Sequence, residues 1–429
     1  MKTSRFLILA LVLLAVRLVL MAVVPVFEPS EARYAAISAN MARSGDFVVP
    51  HFTHNLEYQS FDGKPPLVFQ AGGLFCRVFG VCEFAVRLFP FLSALLVLAI
   101  LYRSVRQRTD AGTGWLAVGI CATSTAFYAA SGISMTDMTL TCCVAGALLL
   151  YRRFADTNGL APAAGVAALL GAGMIVKGPV SLVMFGLPIL ADAVVNRRWR
   201  TFFNVKWLVV APVFLLVAAP WFVLVEQRNP GSVWYFFYNE NFMRFISHDY
   251  GDKYGAGREA FRGVSAVWAL VATLPWALLP VVQAVRARHD WRVLFAARWS
   301  FEALAVAAIV GFWCLTSRVL IYYLVPVSPL FAAWLALRTD RLLLRRLMAP
   351  AAFLTLAVTA GALVGGMFFS EKMQGAKTEF SFRENHYAHE FYHGRKSEAE
   401  LAKAREFRRA WCAARQARKA AEKLRGEAK

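Results

Sequence analysis

The chain has 429 residues, of which 58% are hydrophobic and only 17% charged. Soluble domains lie nearer half apolar and a quarter charged, so this balance excludes an ordinary water-soluble globular protein. A net charge of +20 would point to nucleic acid in a soluble protein. Here the basic residues sit in short loops between apolar runs, which is a topology signal and not a nucleic-acid surface.

Residues 6–27, FLILALVLLAVRLVLMAVVPVF, form the first apolar run. Lys2 and Arg5 precede it as in a signal peptide. The run is long, however, and no small-x-small cleavage site follows, so it reads as a retained first span over 6–26. Further apolar segments at 86–102, 115–131, 138–151, 161–176, 179–195, 206–225, 264–284, 301–316, 319–337 and 350–369 are long enough, or nearly so, to cross a bilayer. With the N-terminus inside, each inner loop is basic: Arg103, Arg106 and Arg108; Arg152 and Arg153; NRRWR at 196–200; Arg286, Arg288, Arg292 and Arg298; and Arg338, Arg341, Arg345 and Arg346. That unbroken alternation supports an all-α polytopic membrane protein of about eleven transmembrane helices over residues 1–370. Residues 371–429 form a charged, helix-prone tail on the outer side, either solvated or resting on lipid headgroups. The seven cysteines include no CxxC pair; the Cys76 and Cys82 spacing alone does not establish a disulfide.

The outer segments are 27–85, 132–137, 226–263 and the turn at Lys177, and they collect the polar chemistry. The first begins EPSEARY (28–34), which sets Glu28, Glu31, Arg33 and Tyr34 at the membrane exit. ARYAAISANMAR (32–43) has the spacing of an amphipathic interfacial helix, stopped by Ser44-Gly45. FDGKPPL (61–67) makes a rigid turn projecting Asp62 and Lys64, ahead of a second amphipathic stretch near 67–80. Asp62 or Glu31 suits a general base and Lys64 a phosphate ligand, although an Asp–Lys pair that only stabilises the turn fits the same residues. Asp137 and Lys177 stand at helix ends, where a charge at membrane depth is costly and often functional; snorkelling also accounts for the lysine. The aromatic-rich loop 234–258 adds Glu240 and Arg244 and the adjacent His248-Asp249, a weak metal or acid–base signal. Arg318 sits at the mouth of a later span, where a guanidinium can clamp a phosphate. Cations and carboxylates gathered on one membrane face fit a phosphate-bearing, lipid-embedded substrate. No Walker-type or GxGxxG loop is evident, so a soluble nucleotide donor is not indicated.

In order, EPSEARY, SGDFVVPHF, FDGKPPL, MTDMTL around Asp137, GMIVKGPV around Lys177, YNENFMRF, TLPWALLP and TSRVLIYYLVP resemble the bacterial GT-C membrane glycosyltransferases, over about residues 1–340. These include the undecaprenyl-phosphate aminoarabinose transferases and relatives of the protein O-mannosyltransferases. The resemblance implies a GT-C-type bundle with two periplasmic interfacial helices in the first outer loop. It implies inverting transfer of a sugar from a polyprenyl-phosphate donor to a lipid, glycan or protein acceptor, at the periplasmic face of the bacterial inner membrane. By motif, Lys64, Lys177, Arg244 and Arg318 would bind carrier phosphate or acceptor, with Asp137 as a second carboxylate; the acidic role falls to Glu31 or Glu28. Relatives commonly carry Asp where this chain has Ser30, and an acidic residue where it has Gly63. A catalytically altered homologue therefore stands beside the active enzyme as a reading. A secondary transporter is the other, and it calls for internal repeats and charges near mid-bilayer. No organic cofactor is implied; hard oxygen ligands for a divalent cation exist, but no spacing demands one.

Overall fold

The apolar segments expected to span the membrane are helical in the computed structural model, except that 319–337 enters through an extended stretch and a 3₁₀ turn and becomes α-helical only from Val327; the structure describes residues 3–27, 29–247, 253–254, 259–286, 300–374, 387–394 and positions 397, 399, 402, 406 and 409. The elements are α1 (Thr3–Val23), α2 (Ser30–Ser44), strands β1 (His51–His54) and β2 (Glu57–Ser60), α3 (Leu67–Phe79), α4 (Glu83–Arg108), α5 (Ala111–Ala122), α6 (Thr125–Ala130), α7 (Thr136–Thr157), α8 (Leu160–Lys177), α9 (Val180–Val195), α10 (Trp199–Phe202), α11 (Lys206–Arg228), α12 (Ser232–Trp234), a π-helix (Tyr235–Met243) and α13 (Arg244–Ile246). They continue with α14 (Val264–Ala272), α15 (Leu278–Arg286), α16 (Phe301–Cys314), a 3₁₀ turn (Ile321–Leu324), α17 (Val327–Arg338), α18 (Arg341–Gln374) and α19 (Tyr387–His393). Among the described residues, five helices are long and apolar enough to cross a membrane by themselves: α4, α7, α8, α11 and the 341–362 part of α18. The 12–23 part of α1 and helices α3, α5, α9, α16 and α17 are shorter apolar segments. The fold is a polytopic helical bundle.

Burial separates the centre of the bundle from its rim. The apolar window of α7 is 78% buried by protein, whereas that of α11 is 17% buried. A helix so apolar and so exposed as α11 needs lipid around it, while α7 is the post against which α4 and α8 pack. Two of the expected spans are broken, and the breaks satisfy each other. The interruption between α5 and α6 meets the one between α14 and α15: Thr125 donates from its amide (2.9 Å) and its hydroxyl (2.8 Å) to the Leu274 carbonyl. The buried Trp276 indole donates to Thr123 Oγ1 at 2.8 Å, and Thr355 Oγ1 donates to the Thr123 carbonyl at 2.6 Å. Backbone groups freed by a kink in a membrane must find protein partners, which explains why TLPWALLP folds as a turn inside an apolar run.

Residues 27–85 form the two helices expected of them, α2 and α3, joined by a β-hairpin that the sequence reading did not foresee. His51 pairs with Ser60 and His54 with Glu57, and Asn55 and Leu56 make the turn at φ 51° and 66°. Leucine in that left-handed position replaces the usual Asn-Gly signal, which is why the hairpin was hard to read. Gly45, at φ 80°, closes α2 with its amide on Met41 O, as the Ser44-Gly45 stop predicted.

Part of the charged tail is neither solvated nor laid on lipid. Helix α19 docks on α2 and the hairpin, and Phe391 and Tyr387 are buried. Glu390, also buried, accepts from Asn40 Nδ2 (2.7 Å) and from the Thr53 amide (2.9 Å). Arg43 donates to the carbonyls of Glu390 and Phe391 at 3.0 and 2.7 Å. His54 Nδ1 lies 2.8 Å from the Tyr387 hydroxyl. The aromatic YAHEFYH run supplies an apolar face that composition averaged over the whole tail conceals. Glu390→Ala is expected to strand the Asn40 and Thr53 donors, at about 1–3 kcal/mol for each unsatisfied buried group. A lower melting temperature and faster proteolysis within 387–394 would report the release of α19.

Candidate functional site

The site is assembled by short segments at one end of the bundle. Phe61 is held by its amide on Pro50 O at 2.8 Å, and Pro66 starts α3, so residues 61–66 are pinned at both ends. Between them Lys64 turns into a chamber of about 120 Å³ whose wall includes Ser30, Arg33, Tyr34, Asp137, Lys177, Glu240, Arg244 and Tyr323. Asp137 sits in the first turn of α7 and Lys177 in the last turn of α8. Gly178 follows at φ 78°, and the Phe236 ring packs where a side chain there would project, so Lys177 is aimed by a turn that only glycine permits.

Lys177 Nζ donates to Asp137 Oδ1 at 2.6 Å, with both side chains almost fully buried. The same ammonium lies 3.8 Å from the centre of the Tyr323 ring, a cation–π arrangement. Glu240 and Arg244 form a second pair at 3.0 Å on the π-helix and its extension. Arg33 lies 5.6, 5.7 and 5.7 Å from the rings of Tyr34, Phe61 and Tyr387; its Nε is buried and has no partner among the described residues. Helix α19 therefore reaches the site through Tyr387. Lys64 retains some accessible surface but is surrounded by protein, and burial, with Lys177 and Arg244 adding repulsion, pushes its ammonium down to about 8. Burial also pushes the Tyr34 phenol up to about 12, so it stays a neutral hydrogen-bonding group at neutral pH.

The chamber adjoins a groove of about 380 Å³, with which it shares Gly63, Lys64, Lys177, Glu240, Arg244 and Tyr323; the rest of the groove includes Val180, Val183, Phe236, Phe242, Ile246, Phe312 and Trp313, with Arg318 at its wall. A charged pocket thus shares a wall with a largely apolar trough. Arg318 belongs to the trough and not the chamber, and Glu259 holds its Nη2 at 3.0 Å.

The structure thus brings Arg33, Tyr34, Lys64, Asp137, Lys177, Glu240 and Arg244 together. Two carboxylates expected to do acid–base work lie elsewhere. Glu31 lines neither cavity. Its oxygens lie 2.8 and 3.0 Å from Arg87 Nε and Nη2, and they accept from the amides of Ser134 and Phe27, each at 2.9 Å. Asp62 turns away from Lys64 and accepts from Asn229 (2.9 Å), Ser232 (2.7 Å) and Lys253 (3.2 Å), tying the first outer loop to the second. Both are engaged by neighbours on all sides, which is the arrangement of a structural tie. Glu28 and His248-Asp249 lie outside the described residues. Among the described residues no group of three His, Cys, Asp or Glu could hold a metal ion, and Cys76 and Cys82 carry free thiols. Arg87, Tyr323 and Tyr387 escaped the sequence reading. An arginine inside FAVRLFPFL is the kind of intramembrane charge that announces a partner; the two tyrosines carried no such signal.

Residues 63–223 match the family model described as dolichyl-phosphate-mannose-protein mannosyltransferase. The chain is 28% identical over 290 residues to the undecaprenyl phosphate-alpha-4-amino-4-deoxy-L-arabinose arabinosyl transferase of Edwardsiella ictaluri, covering 65% of this chain and 50% of that one. A Sodalis glossinidius protein described as the same transferase is 30% identical over 272 residues, covering 62% and 47%. The chain thus spans about half the length of these relatives. The crystal structure of ArnT from Cupriavidus metallidurans bound to undecaprenyl phosphate superposes with a TM-score of 0.66 at 23% identity, covering 84% of this chain and 64% of that one. The bundle has the fold of the GT-C membrane glycosyltransferases, and the chain resembles their aminoarabinose-transferase branch.

Proposed function

We propose that this membrane protein of the GT-C glycosyltransferase fold moves a sugar from a polyprenyl-phosphate carrier to a hydroxyl of a lipid, glycan or protein acceptor, with inversion, on the periplasmic side of a bacterial inner membrane. One observation carries this reading: the buried Asp137–Lys177 pair shares a small chamber with Arg33, Lys64 and Arg244, and that chamber shares a wall with a largely apolar trough. The trough suits an isoprenoid chain and the chamber its phosphate and sugar. The basic inner loops support the orientation.

In the donor the phosphodiester carries one negative charge. As the acceptor oxygen bonds to the anomeric carbon and the carbon–oxygen bond to phosphate breaks, the leaving polyprenyl phosphate gains a second. Lys177, Lys64 and Arg33 are preorganised around that growing charge in a water-poor chamber, where such stabilisation is strongest. The phosphate draws the Lys177 ammonium from Asp137, and the carboxylate so released takes the acceptor hydroxyl's proton. Ser30 lines the chamber but cannot accept that proton at neutral pH. Tyr34 and the Glu240–Arg244 pair are placed to orient sugar or acceptor.

Lys64 gives the reaction a pH limit. Its folded-state value of about 8 lies below the ordinary 10.5. The charged form therefore destabilises the free protein at all pH values below 8, and that penalty is relieved as the pH rises from 8 to 10.5. Phosphate binding needs the charged form. Donor kcat/KM is expected to fall above pH 8, whereas Lys64→Arg keeps its charge and flattens the profile there.

The direct test incubates purified protein with polyprenyl-phosphate sugars and a membrane extract, and mass spectrometry identifies the molecule that gains the sugar. Donor consumption is expected. If wild-type protein consumes none while Ser30→Asp does, the chain is a catalytically altered homologue and the proposal fails.

A further inference from the structure

A second cavity, of about 570 Å³, lies at the opposite end of the bundle and is lined by Arg108, Arg152, Arg197, Arg198, Arg338 and Glu302. Along α7, Arg152 is fifteen residues from Asp137, about 22 Å at the helical rise, so this cavity is separate from the chamber. The positive-inside rule accounts for arginines on inner loops. It does not account for guanidinium groups from the ends of α4 and α17, from α7 and from the α9–α10 turn lining one hollow.

Three features indicate a ligand. Five cations face one carboxylate among the lining residues. Glu302 engages Arg108 Nη1 and Asp156 pairs with Arg152 at 2.8 Å, yet Arg108 Nη2 is buried with no partner among the described residues. Arg198 Nη1 approaches Asp192 only to 3.6 Å and makes no hydrogen bond among the described residues. Lastly, Arg197 holds a left-handed φ of 56°, a strained conformation for a non-glycine residue and one that tends to cluster at binding sites. Trp334 and Phe301 provide an apolar wall beside the guanidinium groups.

We propose that this cavity binds an anionic phosphate group at the inner membrane face, from either an anionic phospholipid headgroup or a soluble phosphate or diphosphate. Planar guanidinium forks match phosphate oxygens, and unpaired donors in a hollow offer them with little further ordering.

The test uses full-length protein in nanodiscs. In discs of phosphatidylcholine alone, melting is followed against inorganic phosphate and pyrophosphate at constant ionic strength. In a second arm, phosphatidylglycerol replaces part of the phosphatidylcholine and retained lipid is weighed by native mass spectrometry. A stabilising response in the first arm identifies a soluble ligand, and retained phosphatidylglycerol with no soluble response identifies a headgroup. In either case Arg197→Gly with Arg338→Gln is expected to weaken the response about tenfold or more, while the chamber variant Lys177→Met keeps it. The glycine also relieves the strained φ, so the paired variant is expected to fold; each single variant is measured beside it. No response in either arm, or an equal response in the paired variant, overturns the proposal.

Discussion

Lys177→Met is expected to lower donor turnover by about 10²–10³-fold, the loss seen when one preorganised donor to a developing oxyanion is removed. The side chain is buried, donates to Asp137 at 2.6 Å and lies over the Tyr323 ring, so methionine fills much of its volume and removes only the charge. Losing one partner of a buried ion pair strands the other, at about 3–5 kcal/mol if the charge stays. The double variant Asp137→Asn/Lys177→Met is therefore expected to be more stable than Lys177→Met and no more active. Melting temperatures measured beside single-turnover rates separate the two effects. If Lys177→Met folded normally and turned over donor at the wild-type rate, Lys177 would have no part in stabilising the leaving phosphate.

The second large effect is structural, and it falls on the residue that the EPSEARY motif offers as the base. Glu31→Gln is expected to destabilise the protein by about 3–5 kcal/mol. Arg87 would lose its counterion while still buried, held by Glu31 at 2.8 Å and by the carbonyls of Met21 and Pro25 at 3.1 and 3.0 Å. Through Arg87 and the Ser134 amide, Glu31 fastens the exit of α1 to α4 and to the segment leading into α7, and so sets where Asp137 begins. Glu31→Gln/Arg87→Met should recover much of the stability, since it leaves no unpaired charge. A general base behaves differently: Glu31→Gln would then keep its melting temperature and lose kcat. Measuring both quantities on the same preparation distinguishes the roles.

What the sequence revealed followed from local physics. Apolar runs of bilayer length and the basic clusters between them located the helices, because each signal lies within a contiguous segment. Ser44-Gly45 and Lys-Pro-Pro marked helix boundaries for the same reason. Lys64, Lys177, Asp137 and Arg244, which the fold gathers at one chamber, stood out because charge next to a membrane helix is expensive. Partnership was not legible. Nothing in EPSEARY says that Glu31 meets an arginine fifty-six residues on, or that Asp62 turns to Lys253 instead of its neighbour Lys64. Nor does the tail's composition say that Tyr387 and Glu390 return to α2. Those pairings are long-range choices of the fold, and they decide which carboxylates line the chamber and which tie distant segments together.

The account rests on the chamber gripping a lipid-linked phosphate between Lys64 and Lys177. Binding of polyprenyl phosphate to the purified protein, titrated in detergent, tests this most directly. Wild-type protein is expected to bind, Lys64→Met and Lys177→Met each about tenfold or more weaker, and Arg197→Gly as wild type. Equal binding by wild type and both lysine variants, or none by wild type, would contradict the account.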